Sequence, residues 1–565
     1  MVSVILVWIY MVITCYVTGY TCLTLACTKA GYSIKKDSSY LFAGIAFLTV
    51  YAQFFSVFYK VGLAANLILL LVCGVCLLFY GKQMGVHLKV RWEEQWKGTK
   101  EGNCSGRRLI KPLLLLLLVF VFAYGTSTGI IHYDTSLYHA QSIRWIEEYG
   151  VVPGLGNLHT RLAYNSAAFC LSALYSFAFL GGQSYHCVGG FLALLLAVVC
   201  FTGLIRKEFK KPLLSDFVRI MGIYYLLIIF DEMISPASDY FMVLMVFYIL
   251  ITWLELLERK EASYMPYGLL CVLCVSVVTM KLSGALILLL TVKPAVMLIR
   301  EKRGKAIAGF LGAGIVTVLP FLIRNVILSG WLVYPFTFLD LFDFDFKIPK
   351  GVAEYDSREI QVWGRGYSDV TRYEEPISQW MPGWVSSLDG INKVFLLLAI
   401  ASLFVLAGIC VYALVKRKKE MLDFLLVAGC MAASFLFWLT SAPLIRYGCI
   451  YLWVLPMLVW GYVYLQISPK VDKYKLYLVF LLLVGCYKTV AFVSETAESA
   501  TAEYLIAQKD YENYETVSYE LQGYTFYYPA HGDQTGYEDF PSSPVKAEDI
   551  FRGDRIEDGF VDVIH

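Results

Sequence analysis

The stretch PLLLLLLVFVFAYGTSTGII, residues 112–131, runs directly into HYDTSLYH, residues 132–139. An uncharged run of this length matches a bilayer core of roughly 30 Å at a rise of about 1.5 Å per helical residue. A helix satisfies its own backbone hydrogen bonds, so the run reads as a transmembrane helix. Asp134 then falls at the membrane boundary.

The same pattern recurs along the chain. We mark about fourteen candidate spans by length and apolarity. They are 2–27, 40–59, 61–80, 112–131, 186–205, 217–232, 239–256, 266–280, 284–299, 306–323, 391–414, 421–439, 448–466 and 475–492. The 565 residues are 58% hydrophobic and only 16% charged, where a soluble domain carries about 25%. The fold class is therefore an all-α, polytopic transmembrane bundle. Residues 2–27 lack a charged leader and are expected to form a first span, not a removed signal peptide.

Three segments follow. Residues 1–111 hold three spans and a basic loop. Residues 112–492 form the transmembrane core, with large polar loops at 132–185 and 324–390. Residues 493–565 are a polar, Tyr-rich, acidic tail, read as a small appendage or flexible arm. There are 15 cysteines, an odd number, and none falls in 324–390 or 493–565. A disulfide-stapled ectodomain is not expected. The net charge of +2 suggests no nucleic-acid partner.

Lys and Arg in short loops set orientation. Lys29, Lys35 and Lys36, the loop 81–111, Arg206 to Lys211, Arg259 and Lys260, Arg300 to Lys305, Lys416 to Lys419, and Lys470 to Lys475 all fall on one side. That side is expected to be cytoplasmic, in a bacterial inner membrane. The apolar piece 165–181 would break the alternation if it spanned. We expect it to lie in the interface or to re-enter.

The outer side then collects polar residues. Asp134 opens the first large loop. After it, Leu137, Ala140, Ile143 and Ile146 share one helix side; Tyr138, Gln141, Arg144 and Glu148 share the other. That suits a helix lying in the interface. A carboxylate here can take a proton from an acceptor hydroxyl, or simply cap the helix. Asp231, Glu232 and Asp239 cluster at the mouth of two spans. They form a second acidic site or a site for a divalent cation, with helix capping as the plain alternative. Lys281 is a lone cation between two short spans, against the positive-inside pattern. A phosphate is its natural ligand; snorkelling is the alternative. Arg324 and Arg446 are further outer cations, each able to grip a phosphate at two points.

These residues and short motifs resemble the C-type membrane glycosyltransferase superfamily (GT-C). Asp134 ends a helix and opens the first outer loop, as an acidic residue does there. Arg324-Asn325, Gly330 and Tyr334-Pro335 resemble a later motif, and Pro443 with Arg446-Tyr447 a third. The segment HYDTSLYHAQSIRWIEEYGVVPGLGNLHTRLAYNS, 132–166, looks more closely like a group of uncharacterised bacterial polytopic membrane proteins. Three spans precede the Asp134 helix, a departure from the superfamily.

The resemblance implies an active site facing outside, with Asp134 as general base. Lys281, Arg324 and Arg446 would bind the phosphate of a polyprenyl-phosphate-linked sugar. The acceptor would be a glycan, lipid or protein. Tyr138, His139, Arg144, His159, Arg161 and Asn165 would support the first loop. A polysaccharide polymerase or ligase is the enzymatic rival; a transporter or flippase of lipid-linked glycans is the other.

Overall fold

Gly19 and Gly44 let the first two helices, α1 (Val2–Thr28) and α2 (Asp37–Phe58), meet backbone to backbone. A Cβ on Gly19 would lie 1.8 Å from the Tyr40 carbonyl oxygen, and one on Gly44 1.9 Å from that of Cys15. Small residues of this kind let apolar helices pack closely in lipid, where the hydrophobic effect gives no help. A computed structural model describes residues 1–28, 30–97, 110–206, 211–467, 472, 475–477, 486–498 and 500–562. Lys29, Lys100, Arg107, Arg108, Lys207, Lys210, Lys470, Lys473 and the middle of the expected span 475–492 lie outside the described residues.

The chain continues through α3 (Leu63–Lys97) and α4 (Ile110–Thr128). A single π-turn, Thr135–His139, leads into α5 (Ala140–Glu148), and α6 (Ala167–Leu174) follows. Then come α7 (Val188–Leu204), α8 (Leu214–Ile228), α9 (Ser238–Glu258) and α10 (Tyr264–Met280). A 3-10 stretch, Leu282–Thr291, runs into α11 (Val292–Arg300) and then α12 (Gly304–Ser329). The second large loop carries α13 (Lys350–Gly364) and α14 (Ile377–Ser387). The bundle closes with α15 (Gly390–Val415), α16 (Leu422–Ser441), α17 (Ile445–Ile467) and α18 (Cys486–Glu498).

Among the described residues, nine helical segments are long and apolar enough to cross a membrane. They correspond to nine of the expected spans. Four more expected spans are the shorter helices α4, α7, α8 and α10. The architecture is that of an integral membrane protein. Thirteen cysteines, from Cys15 to Cys449, are free thiols.

Helix α9 forms the axis. Every residue from Asp239 to Glu255 is buried, as expected for a helix apolar on all sides. It packs on α7, α8, α10 and α17. The piece 165–181 holds no helix of spanning length: α6 has eight residues, about 12 Å of helix. Helix α6 is wholly buried and packs on α2 and α5.

The tail folds back onto the first loop. Strands β1 (Thr516–Leu521) and β2 (Tyr524–Pro529) pair antiparallel. Gln522 and Gly523, with φ of +50° and +81°, make the tight turn between them, and positive φ at both positions suits the right-handed strand twist. Phe526, Ile550, Ile556 and Phe560 share an apolar core with Trp145, Val152 and Leu155 of the first loop. The tail is thus a packed appendage and not a loose arm over these residues. One expectation for α5 is corrected in consequence. Gln141, on its polar side, is buried and donates to the Gly536 and Asp539 carbonyls. The helix lies under the tail, because the tail supplies acceptors that water would otherwise supply.

Candidate functional site

Four of the polar residues singled out in the sequence come together at one end of the bundle. Helix α9 presents Asp239 in its first turn. Lys281 follows the last residue of α10, Arg446 stands in the first turn of α17, and Asp134 precedes the π-turn. Arg446 Nη2 donates to Asp134 Oδ2 at 2.6 Å. Its Nε lies 3.3 Å from Asp239 Oδ2. Lys281 Nζ pairs with the other oxygen, Asp239 Oδ1. The order across the site is carboxylate, guanidinium, carboxylate, ammonium.

Aromatic and imidazole groups close the cluster. Lys281 Nζ sits 4.2 Å from the Tyr447 ring centre and the Arg446 guanidinium 5.4 Å from it, within range of cation–π attraction. His132 meets Arg446 Nη1 through its ring. The His132 backbone N–H donates to Ser235 Oγ at 2.8 Å, which ties the first loop to the α8–α9 turn. His132 had no assigned role in the sequence; its adjacency to Asp134 was the available signal.

The plain alternatives for these residues are not what forms. The Asp134 side chain makes no capping hydrogen bond. Helix α9 is preceded by Ala237, so neither Ser238 nor Asp239 is its cap. Burial pushes the Asp134 carboxyl up, but the Arg446 guanidinium, by its charge and its hydrogen bond, outweighs burial and holds the carboxyl below the usual carboxylate range. Burial, then Arg446, lowers His132. Burial drives His139 down to about 3, so both rings are neutral near pH 7. The positive charge is carried by Arg446 and Lys281.

Arg324 is not part of this cluster. It is buried in α12, donating to Ser56 Oγ at 2.5 Å and to Asn165 Oδ1 at 3.0 Å. Asn165 in turn donates to the Phe321 carbonyl at 2.9 Å. Two of the Arg324 donors thus join α2, α12 and the first loop, and the structure places this cation apart from Arg446 and Lys281. The motif that follows builds a corner. Gly330 ends α12 at φ +76°, with Lys347 so close that a Cβ would meet its Cα at 2.6 Å.

The other first-loop residues divide among separate tasks. Tyr138 packs edge-on against His139 and Tyr164. Arg161 pairs with Asp356 at 3.1 Å and Glu359 at 2.5 Å, and lies 4.4 Å from the Trp363 ring. It joins the two large loops. His159 is half-buried at the start of the turn Thr160–Ala163, and burial lowers it to about 3. Arg144 donates to the Tyr537 and Glu538 carbonyls at 2.6 Å each and so holds the tail.

The acidic residues of the α8–α9 turn do not converge as one ligand set. Tyr240 donates to Glu232, Asp239 is taken by the two cations, and the Asp231 backbone carbonyl accepts from Ile130 at 2.5 Å. Among the described residues, no three His, Cys, Asp or Glu side chains are grouped to hold a metal ion.

Bundle and cluster together define a polytopic helical membrane protein with an ion-paired polar site at one end. Residues 1–453 match the family model described as Domain of unknown function (DUF8201), and the chain belongs to that family. The match includes all four residues of the cluster and stops short of the tail. No curated protein and no solved structure gives a match.

Proposed function

We propose that the protein is a membrane glycosyltransferase that moves a sugar from a polyprenyl-phosphate donor to a cell-surface glycan, lipid or protein acceptor. The observation that supports this reading is the alternation of Asp134, Arg446, Asp239 and Lys281 at one bundle end. A carboxylate beside two cations is the minimum that the chemistry needs. The carboxylate accepts the acceptor's hydroxyl proton. The cations receive the negative charge that moves onto the leaving phosphate.

The resting ion pair fits this division of labour. Arg446 holds Asp134 ionised and weakly basic. A donor phosphate competes for the same guanidinium. As Arg446 turns to the phosphate, Asp134 loses its partner and its basicity rises. Donor binding then arms the base. The acceptor oxygen attacks the anomeric carbon, the bond from that carbon to the phosphate oxygen breaks, and the proton passes to Asp134. Attack opposite the leaving group inverts the anomeric centre. In this reading the site faces the outer leaflet of a bacterial inner membrane.

The test is transfer of label from the cellular polyprenyl-phosphate sugar pool to surface glycans. Wild type and Asp134→Asn are compared at matched membrane abundance. Loss of one glycan product with normal protein levels is the expected result. An unchanged product pattern would sink Asp134 as the base and the reading with it.

A further inference from the structure

A large groove lies at the other end of the bundle. Along α9, Asp239 and Glu255 are sixteen positions apart, about 24 Å of helix. The polar cluster is at the first of these residues. A groove of about 1210 Å³ reaches the second. It runs between α1, α2, α9, α10 and α12, and exceeds the roughly 300–1000 Å³ of ordinary small-molecule sites.

The groove has two chemistries. Its walls are mainly apolar, with Leu25, Phe47, Leu269 and Phe310 among them. Its mouth is cationic. Lys35 and Lys36 come from the loop before α2, Arg259 from the end of α9, and Lys302, Arg303 and Lys305 from the start of α12. Only two carboxylates line the same space, and both are engaged. Glu261 holds Lys35 at 2.6 Å. Glu255 holds Lys36 and Arg219. Arg303 meets Glu301, outside the groove lining, at 3.5 Å, and Lys302 and Lys305 form no ion pair among the described residues. The mouth therefore keeps a surplus of positive charge, and a basic pocket between membrane helices suits an anionic lipid headgroup.

We propose that this groove binds an anionic glycerophospholipid of the inner leaflet. The phosphate would rest among Lys302, Arg303 and Lys305, and an acyl chain would run along the apolar wall toward mid-bilayer. A soluble anion would leave that wall wet. A zwitterionic lipid would leave the cationic surplus unmatched. The site is independent of the proposed sugar transfer.

Two variants separate headgroup from chain. Lys302→Gln, Arg303→Gln and Lys305→Gln together remove three of the mouth's six cations, those placed around the phosphate. Gly309→Phe blocks the wall without altering charge, and a Cβ at Gly309 meets nothing within 4 Å, so the helix tolerates it. The purified full chain is placed in nanodiscs of mixed phosphatidylglycerol and phosphatidylcholine. Lipid retained after extraction is then counted by native mass spectrometry.

The wild type is expected to retain phosphatidylglycerol selectively. The triple variant should bind it about a hundredfold more weakly, at roughly fivefold per cation. Gly309→Phe should lose the retained lipid with an unchanged melting temperature. Equal retention of the two lipids by the wild type would overturn the proposal. So would undiminished retention by both variants.

Discussion

Arg446 is the residue on which the candidate site turns. It reaches both Asp134 and Asp239, and only a planar fork serves two carboxylates in this way. Arg446→Lys keeps the charge and loses the geometry, so transfer should fall even though the protein folds. Asp134→Asn should reduce transfer about 10²–10⁴-fold, the usual share of a general base. The same change removes a charged hydrogen bond worth about 1.5–3 kcal/mol. The sign with pH follows from the lowered Asp134 carboxyl. Its stabilising contribution is complete above the ordinary carboxylate value of about 4 and is lost as pH falls through its lower folded value. Thermal melts of the two proteins should therefore differ at pH 7 and converge in strong acid. A constant difference across that range would refute the ion pair as its source.

Glu147 shows what packing does to one side chain of α5. It accepts from Tyr537 at 2.5 Å and Ser184 at 3.1 Å beneath the tail, and burial raises it to about 7. A raised carboxyl stabilises the fold fully below its ordinary value, and that contribution is lost as pH rises to and through 7. Tail docking should loosen over this window. Limited proteolysis of residues 511–562 should accelerate from pH 5 to pH 8 in the wild type. In Glu147→Gln the rate should stay flat. Gly19→Leu or Gly44→Leu puts a side chain into the facing backbone. Both should lower the melting temperature sharply, while Gly309→Leu on open α12 should not.

At the scale of the whole molecule, the two ends of the bundle differ in charge. Arg446 and Lys281 at one end are balanced by carboxylates, whereas the groove mouth at the other is not. The positive-inside rule then predicts that the groove mouth faces the cytoplasm and the tail lies outside. Lys305→Cys should react with a membrane-impermeant maleimide only after permeabilisation. Val545→Cys, 70% exposed on the tail, should react in intact cells. The reverse pattern would invert the topology and remove the proposed site from the outer face.

The sequence by itself determined the helical membrane class, the separation of basic loops from the polar end, and the candidacy of Asp134, Asp239, Lys281 and Arg446. These follow from run length and charge placement, which are local. Tertiary structure decided the partners. The Asp134–Arg446 contact joins residues 312 apart, and no local pattern states which distant carboxylate a guanidinium will meet. The same gap hid the fate of Arg324. In sequence it resembled Arg446, yet in the fold it donates to Ser56 and Asn165 and lies apart from the cluster, because α12 packs it against α2 and the first loop. The tail was read from composition as an appendage or an arm, and its docking on Trp145 and Glu147 became visible only in the packed chain. Apolar periodicity records how much surface must be buried. It does not record against what.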